Sequence, residues 1–240
     1  MILNKFLATL SLICISLFCS GHSYAQPEQQ IKTEIQKKLG ANVKVRSVSA
    51  APVSGLYEVL VGNEVFYTDT SGKYLIQGEI IELATGKNIT ELRQADLNRI
   101  KWTDLNQANA IKTVRGNGGR QLAVFSDPNC GYCKRLEKSM QQLENVTIYT
   151  YLIPILSADS TQKSKQIWCS SDPYKAYIDW MINGVNPSGK SDCSTPLDKN
   201  LTFAKTYGIT GTPTLFFTDG SRFPGAVQIT DVEKKFSSLK

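Results

Sequence analysis

From Pro27 to Leu39 apolar side chains recur at Ile31, Ile35 and Leu39, a spacing of four that sets them on one helical stripe. Gly40 follows, placed to close the helix in a left-handed conformation. A short helix is predicted there. The next segments, near 43–49, 55–61, 64–68 and 73–83, are rich in Val, Ile, Leu and Tyr and are separated by Gly62-Asn63 and Ser71-Gly72, so they read as an antiparallel meander. One helix and four strands make a thin layer that buries little of its own apolar surface, and its last strand reads as long and apolar. That edge predicts pairing with a second copy, against the plainer reading that the layer packs only on the rest of its own chain. Residues 90–112 lack Gly and Pro and distribute Leu92, Ile100, Leu105, Ala108 and Ile111 among polar positions, a pattern for a partly exposed helix. Three glycines among Gly116-Asn117-Gly118-Gly119 disfavour helix and strand alike and are read as a hinge.

Beyond the hinge the pattern alternates. It predicts strand 120–126, helix 130–143, strand 146–152, helices near 160–170 and 172–183, helix 197–207, strand 214–218, a turn at Asp219-Gly220 and a last helix 230–239. Strands interleaved with helices suggest a sheet covered on both faces. The expected organisation is therefore a strand-rich layer over 26–86, a helical linker and Gly-rich hinge over 87–119, and an α/β domain over 120–240.

The remaining segment, residues 1–25, carries the one long apolar run, Ile2 to Cys19, with Lys5 in front and Ser23-Tyr24-Ala25 behind. This is the layout of a secretory signal peptide cleaved after Ala25. A retained membrane anchor is the alternative, disfavoured by the short run and its peptidase-like flank. The chain is 41% hydrophobic and 20% charged, an ordinary globular composition, and its formal net charge is +6. Removing Lys5 with the leader lowers that to +5, spread without a Lys/Arg run, and no nucleic-acid partner is read from it. Cleavage also removes His22, the one histidine, so the mature chain has no imidazole for Ser-His or Cys-His hydrolysis. Cys14 and Cys19 leave too. Cys130, Cys133, Cys169 and Cys193 remain, and an even number in an exported protein points to disulfides.

The strongest chemical signal is Phe125-Ser126-Asp127-Pro128-Asn129-Cys130-Gly131-Tyr132-Cys133-Lys134, a Cys-x-x-Cys that follows an apolar strand and opens a helix. At a helix N-terminus Cys130 sits beside unsatisfied backbone N–H groups and the positive end of the macrodipole, both of which favour thiolate over thiol. Cys133 lies in line with Leu136, Met140 and Leu143, at steps of three, four and three, on the stripe that the helix buries. These positions assign attack to the exposed Cys130 and resolution to Cys133. Three other readings compete. An inert bridge between two cysteines so close together staples almost no chain. Zinc held by all four cysteines lacks the second Cys-x-x-Cys knuckle. Free, unreactive thiols do not suit an oxidising compartment.

A second signal, Gly211-Thr212-Pro213 leading into Thr214-Leu215-Phe216-Phe217, is weak alone, because a trans proline at a strand start is the default. Paired with the cysteines about 80 residues earlier it gains force. Together with Tyr74-Leu75-Ile76-Gln77-Gly78 and Ile167-Trp168-Cys169, these residues resemble the thioredoxin superfamily and, within it, the periplasmic disulfide isomerases of the DsbC/DsbG type. The likeness covers nearly the whole mature chain, and the Gly-Tyr pair between the cysteines looks like the DsbC branch.

That resemblance implies an α+β chain with an N-terminal dimerisation domain, a helical linker and a C-terminal thioredoxin-like domain, assembled as a periplasmic homodimer. It implies a cis Thr212-Pro213 bond facing the active site and a second, structural disulfide between Cys169 and Cys193. Gly131, Tyr132, Thr212 and Pro213 would then shape the active site and the client groove, crowding the reactive sulfur. The clients would be misoxidised exported proteins, and a membrane thiol reductase of the DsbD kind would keep Cys130 and Cys133 reduced. The chemistry calls for no cofactor and no metal. Two other activities suit the same features: a dithiol oxidase donating its disulfide, and a holdase chaperone gripping unfolded clients in a dimer cleft.

Overall fold

The computed structural model describes residues 27–239, so the expected leader, with Cys14, Cys19 and His22, lies outside the described residues. Helix α1 (Pro27–Leu39) forms where the four-residue spacing predicts it and ends at Gly40, φ +80°. Strands β1 (Val45–Ala50), β2 (Leu56–Val61) and β3 (Glu64–Asp69) follow as an antiparallel meander, with Val61 opposite Glu64 across the tight Gly62-Asn63 turn. Alternation along β2 divides its side chains between two faces. Val59 joins Ile31, Ile35, Val45 and Val48 beneath α1, while Leu60 joins Val65 and Tyr67 on the other side.

The fourth strand corrects the expectation of one long edge. Strand β4 is only Leu75–Ile76, after which the chain leaves the sheet, and Ile81–Glu82 (β5) pairs with Lys87–Asn88 (β6). The departure is anchored at Thr90, whose Oγ1 accepts from Ile80 N at 2.9 Å and lies 2.5 Å from Tyr67 Oη. Tyr74, Leu75, Ile76, Ile81 and Leu83 are nonetheless exposed.

The helix expected over 90–112 is likewise shorter. Helix α2 (Ile89–Leu97) starts from the Asn88 side-chain cap and stops, and two short 3-10 turns at Trp102–Asp104 and Gln107–Asn109 lead into strand β7 (Ile111–Arg115). The reason lies in packing. Ile100, Leu105 and Ala110 belong to the core of the C-terminal sheet, and β7 alternates buried Ile111 and Thr113 with exposed Lys112 and Val114, the period of a strand.

Strand β8 (Arg120–Ser126), helix α3 (Gly131–Met140), strand β9 (Val146–Leu152), helices α4 (Ala158–Trp168), α5 (Pro173–Asn183) and α6 (Leu197–Thr206), strands β10 (Thr214–Phe217) and β11 (Arg222–Pro224), and helix α7 (Ile229–Ser238) complete the fold. The C-terminal sheet has the order β11-β10-β8-β9-β7, with β8 and β9 parallel and the other neighbours antiparallel. Residues 116–119, expected as a hinge, are a connection inside this sheet that carries the chain across the start of β9. Gly116 has φ +56°, and a Cβ there would collide with Asn145, while Arg120 N donates to Asn145 O at 3.0 Å. Both faces of the sheet are covered. Leu122 and Val124 pack with Leu136, Met140, Val232 and Phe236, and Ala123 and Phe125 pack with Tyr149, Tyr151, Ala204 and Phe216.

Candidate active site

The last residues of β8 aim the chain into α3, and a buried carboxylate fixes the turn between them. Asp127, 0% exposed, accepts from Asn129 N at 2.8 Å and from Ile155 N and Leu156 N at 2.9 and 3.0 Å. Cys130 N donates to Asp127 O at 3.0 Å. These bonds tie the strand-to-helix turn to the segment after β9. Cys130 is consequently the N-cap of α3, and its Sγ accepts from Cys133 N at 3.3 Å, the position from which a sulfur interacts with the free N–H groups of the first turn.

Antiparallel pairing of β10 with β8 places Thr214 opposite Phe125, so the residues just before β10 meet those just after β8. The register is what joins two motifs separated by about 80 residues in sequence. The Thr212-Pro213 bond is cis, and Thr212 O lies 3.2 Å from Cys130 Sγ, accepting from the thiol. Cys130 was expected to be exposed, and here the structure differs: the residue is only 6% exposed, because the Thr212 carbonyl lies directly against its sulfur. Cys133 is 2% exposed and packs with Leu152, Ile167, Tyr177 and Met181. Burial, with a smaller contribution from neighbouring Cys130, pushes its thiol up to about 12, despite opposing hydrogen bonds from Ser126 and the Asp127 backbone. Both cysteines are free thiols.

Gly131 and Tyr132 are less intimate with the sulfur than expected. A Cβ added to Gly131 would meet no atom within 4 Å, and Tyr132 is mostly exposed, its ring covered by the Arg135 guanidinium 4.3 Å from its centroid. Tyr132 thus lies at the surface, while the Thr212 carbonyl stands against the sulfur. Cys169, at the C-terminus of α4, is bonded to Cys193 in the segment before α6 and takes no part in the Cys130–Cys133 pair. Among the described residues there is no cluster of three His, Cys, Asp or Glu side chains able to hold a metal ion.

Several residues around the site escaped the sequence reading. Trp180 Nε1 donates to Pro128 O at 2.6 Å, and Lys134 Nζ stands 3.7 Å from its ring centroid, with Lys163 at 4.8 Å. Burial and the nearby Lys163 hold the Lys134 amine below its ordinary value. Asn129 Nδ2 donates to Asp159 at 2.7 Å. Glu137, on the same helix as the cysteines, is buried, and loss of water pushes its carboxyl up to about 7 although Arg115 Nη2 stands 3.9 Å away. Asp127 and Asn129 had a local signal, since a Ser-Asp-Pro-Asn run between strand and helix is a turn whose Asx side chain can bond its own backbone. Lys134 and Glu137 lie on α3 beside the cysteines, whereas Asp159 and Lys163 on α4 and Trp180 on α5 are distant in sequence.

Comparison with known proteins agrees with this arrangement. The family described as a thioredoxin-like domain matches residues 107–240, and the disulfide bond isomerase protein N-terminal domain matches residues 22–91. A probable thiol:disulfide interchange protein DsbC of Bordetella pertussis is 40% identical over 181 residues, 75% of this chain and 64% of that relative. This chain thus spans slightly less than two thirds of that protein. The probable DsbC of Bordetella avium is 34% identical over 215 residues, 88% of this chain and 77% of its own length. The crystal structure of a disulfide interchange protein from Neisseria gonorrhoeae superposes with a TM-score of 0.53 and 38% identity, covering 55% of this chain and 96% of that one.

Proposed function

The chain belongs to the DsbC family of thiol:disulfide interchange proteins, and from that premise we propose that it isomerises incorrect disulfides in exported proteins. Cys130, as thiolate, attacks one sulfur of a client disulfide; a Cys130–client bond forms, the client bond breaks, and the second client sulfur leaves as thiolate. If another client thiolate then attacks the client sulfur of the mixed disulfide, Cys130 leaves and the client's pairing has changed with no net oxidation. If Cys133 attacks Cys130 instead, the enzyme leaves oxidised and the client keeps two thiols. A membrane thiol reductase must then return two electrons to the Cys130–Cys133 pair.

The observation that carries this reading is the coupling of two parts in one chain. A free Cys130-Gly131-Tyr132-Cys133 dithiol at the N-terminus of α3 is joined to a domain matched by the N-terminal domain of disulfide bond isomerase proteins. The second part supplies the dimer. Residues 27–86 place Tyr74, Leu75, Ile76, Ile81 and Leu83 at the surface beside the sheet edge, where another copy can cover them. The protein works in the periplasm after loss of residues 1–25. Trapping thiols in intact cells with an alkylating reagent tests the direction of electron flow. Cys130 found mainly reduced agrees with isomerisation; Cys130 found mainly oxidised would make the protein an oxidase. Retained client protection after replacing both cysteines would instead favour a holdase.

A further inference from the structure

Trp180 holds two ammonium groups at once. Its indole lies half-buried on α5, and Nε1 donates at 2.6 Å to the carbonyl of Pro128, two residues before Cys130. Lys134 Nζ, from α3, stands 3.7 Å from the ring centroid, and Lys163 Nζ, from α4, stands 4.8 Å from it. Three helices thus meet at one ring, and that ring is bonded to the turn carrying the attacking sulfur. An aromatic face attracts cations, but two like charges gathered on the same ring repel each other and call for an anion. Lys163 has one, because its ammonium pairs with Asp159, which Asn129 Nδ2 also binds at 2.7 Å. Lys134 has none. Among the described residues its Nζ forms no ion pair and no hydrogen bond. Burial and the charges of Lys163 and Lys138 hold its amine below the ordinary value, the response of a cation without a counter-ion.

This unanswered charge sits one turn from the reactive cysteine. Lys134 N donates to Cys130 O at 3.1 Å, and residues four apart are neighbours on one side of a helix. Lys138, exposed a further turn along, continues the positive row, while Glu137, the only acidic residue of α3, is buried. We propose that Lys134, held with Lys163 on the Trp180 ring, is a specificity-determining cation that receives a carboxylate beside the client disulfide, so that the protein works fastest on cysteines flanked by Asp or Glu. The inference rests on the exchange reading given above and adds to it the class of client. A client sulfur that meets Cys130 Sγ brings its flanking residues over the first turn of α3. The indole holds the Lys134 ammonium in place before the client arrives, so pairing costs little side-chain freedom. Asp159 answers the charge of Lys163, which leaves Lys134 as the cation open to the client. A basic flank meets the same charge and is repelled.

The test uses the reduced protein and three synthetic peptides, each with one internal disulfide and with Glu, Gln or Lys on both sides of one cysteine. Second-order rates of peptide reduction are read by acid quench and chromatography. At low ionic strength the Glu peptide should react about tenfold faster than the Lys peptide, and the ratio should fall toward one in about 0.5 M NaCl. Lys134→Gln should cut the low-salt ratio to about threefold, Lys134→Glu should take it below one, and Lys134→Arg should keep it. Lys37→Gln, on the distant helix α1, should also keep it, which separates this site from the overall net charge. Because the readout is a ratio between peptides, a uniform slowing by any substitution does not move it. A ratio near one in the unsubstituted protein, a ratio that Lys134→Glu leaves unchanged, or an equal fall in Lys37→Gln would overturn the inference. Failure to reduce any of the three peptides would overturn the exchange reading instead.

Discussion

Glu137→Gln should stabilise the protein in alkaline solution and leave it unchanged in acid. The carboxyl is displaced from an ordinary value of 4.5 to about 7, chiefly because burial penalises the charged form, with Arg115, Tyr177 and Gln141 offsetting part of that cost. The folded state therefore binds this proton more tightly than the unfolded chain does. Stability from the neutral acid is fully present below the unfolded value and is lost as pH rises from about 4.5 to about 7, by about 3 kcal/mol in total. Glutamine is nearly isosteric with the neutral acid and has no proton to lose. The variant should match the parent at pH 4 and exceed it by about 3 kcal/mol at pH 8. All three tryptophans, Trp102, Trp168 and Trp180, lie in or against the C-terminal domain, so their fluorescence in guanidinium titrations follows the right transition. An equal difference at the two pH values, or a variant less stable at pH 8, would refute the reasoning.

Replacing Cys169 and Cys193 together by serine removes a bridge of sequence separation 24, for which the loop-entropy relation gives about 3.5 kcal/mol. Thermal unfolding should shift down accordingly, while reduction of a small disulfide by Cys130 and Cys133 continues. Light scattering should give twice the chain mass for the mature protein. A fragment beginning at Arg99 should be monomeric, folded and reactive with small disulfides. One beginning at Arg120 should be much less stable, because it lacks β7 and the buried Ile100, Leu105 and Ala110.

How far the chain could be read in advance follows from where each signal lies. The stripe Cys133, Leu136, Met140 and Leu143 is local, and all four residues are at most 2% exposed. The central strands β8 and β9 were legible for the same reason, as apolar runs covered on both faces. Strand β7 was missed because Ile111 continues a helix-like series from Leu92 to Leu105, while its period-two burial appears only once β9 pairs with it. The broken edge after Ile76 was missed because the bonds that pull the chain away come from Thr90. The hydrogen bond between Ser126, at the end of β8, and Tyr177, on α5, was out of reach for a similar reason: the two are 51 residues apart in sequence. Glu137 had a visible oddity, an acidic residue one position after Leu136 on the face that α3 buries.

The unequal roles of Cys130 and Cys133 carry the whole account, and a trapping assay with a scrambled, disulfide-rich protein tests them most directly. Cys133→Ala keeps the attacking sulfur against Thr212 O and removes the buried resolving thiol. It should accumulate mixed disulfides with the substrate on a non-reducing gel, lose reductase turnover and retain some isomerisation. Cys130→Ser should trap nothing and fall to background in both reactions. A Cys133→Ala protein as inactive as Cys130→Ser, or substrate trapped by Cys130→Ser through Cys133, would contradict the assignment.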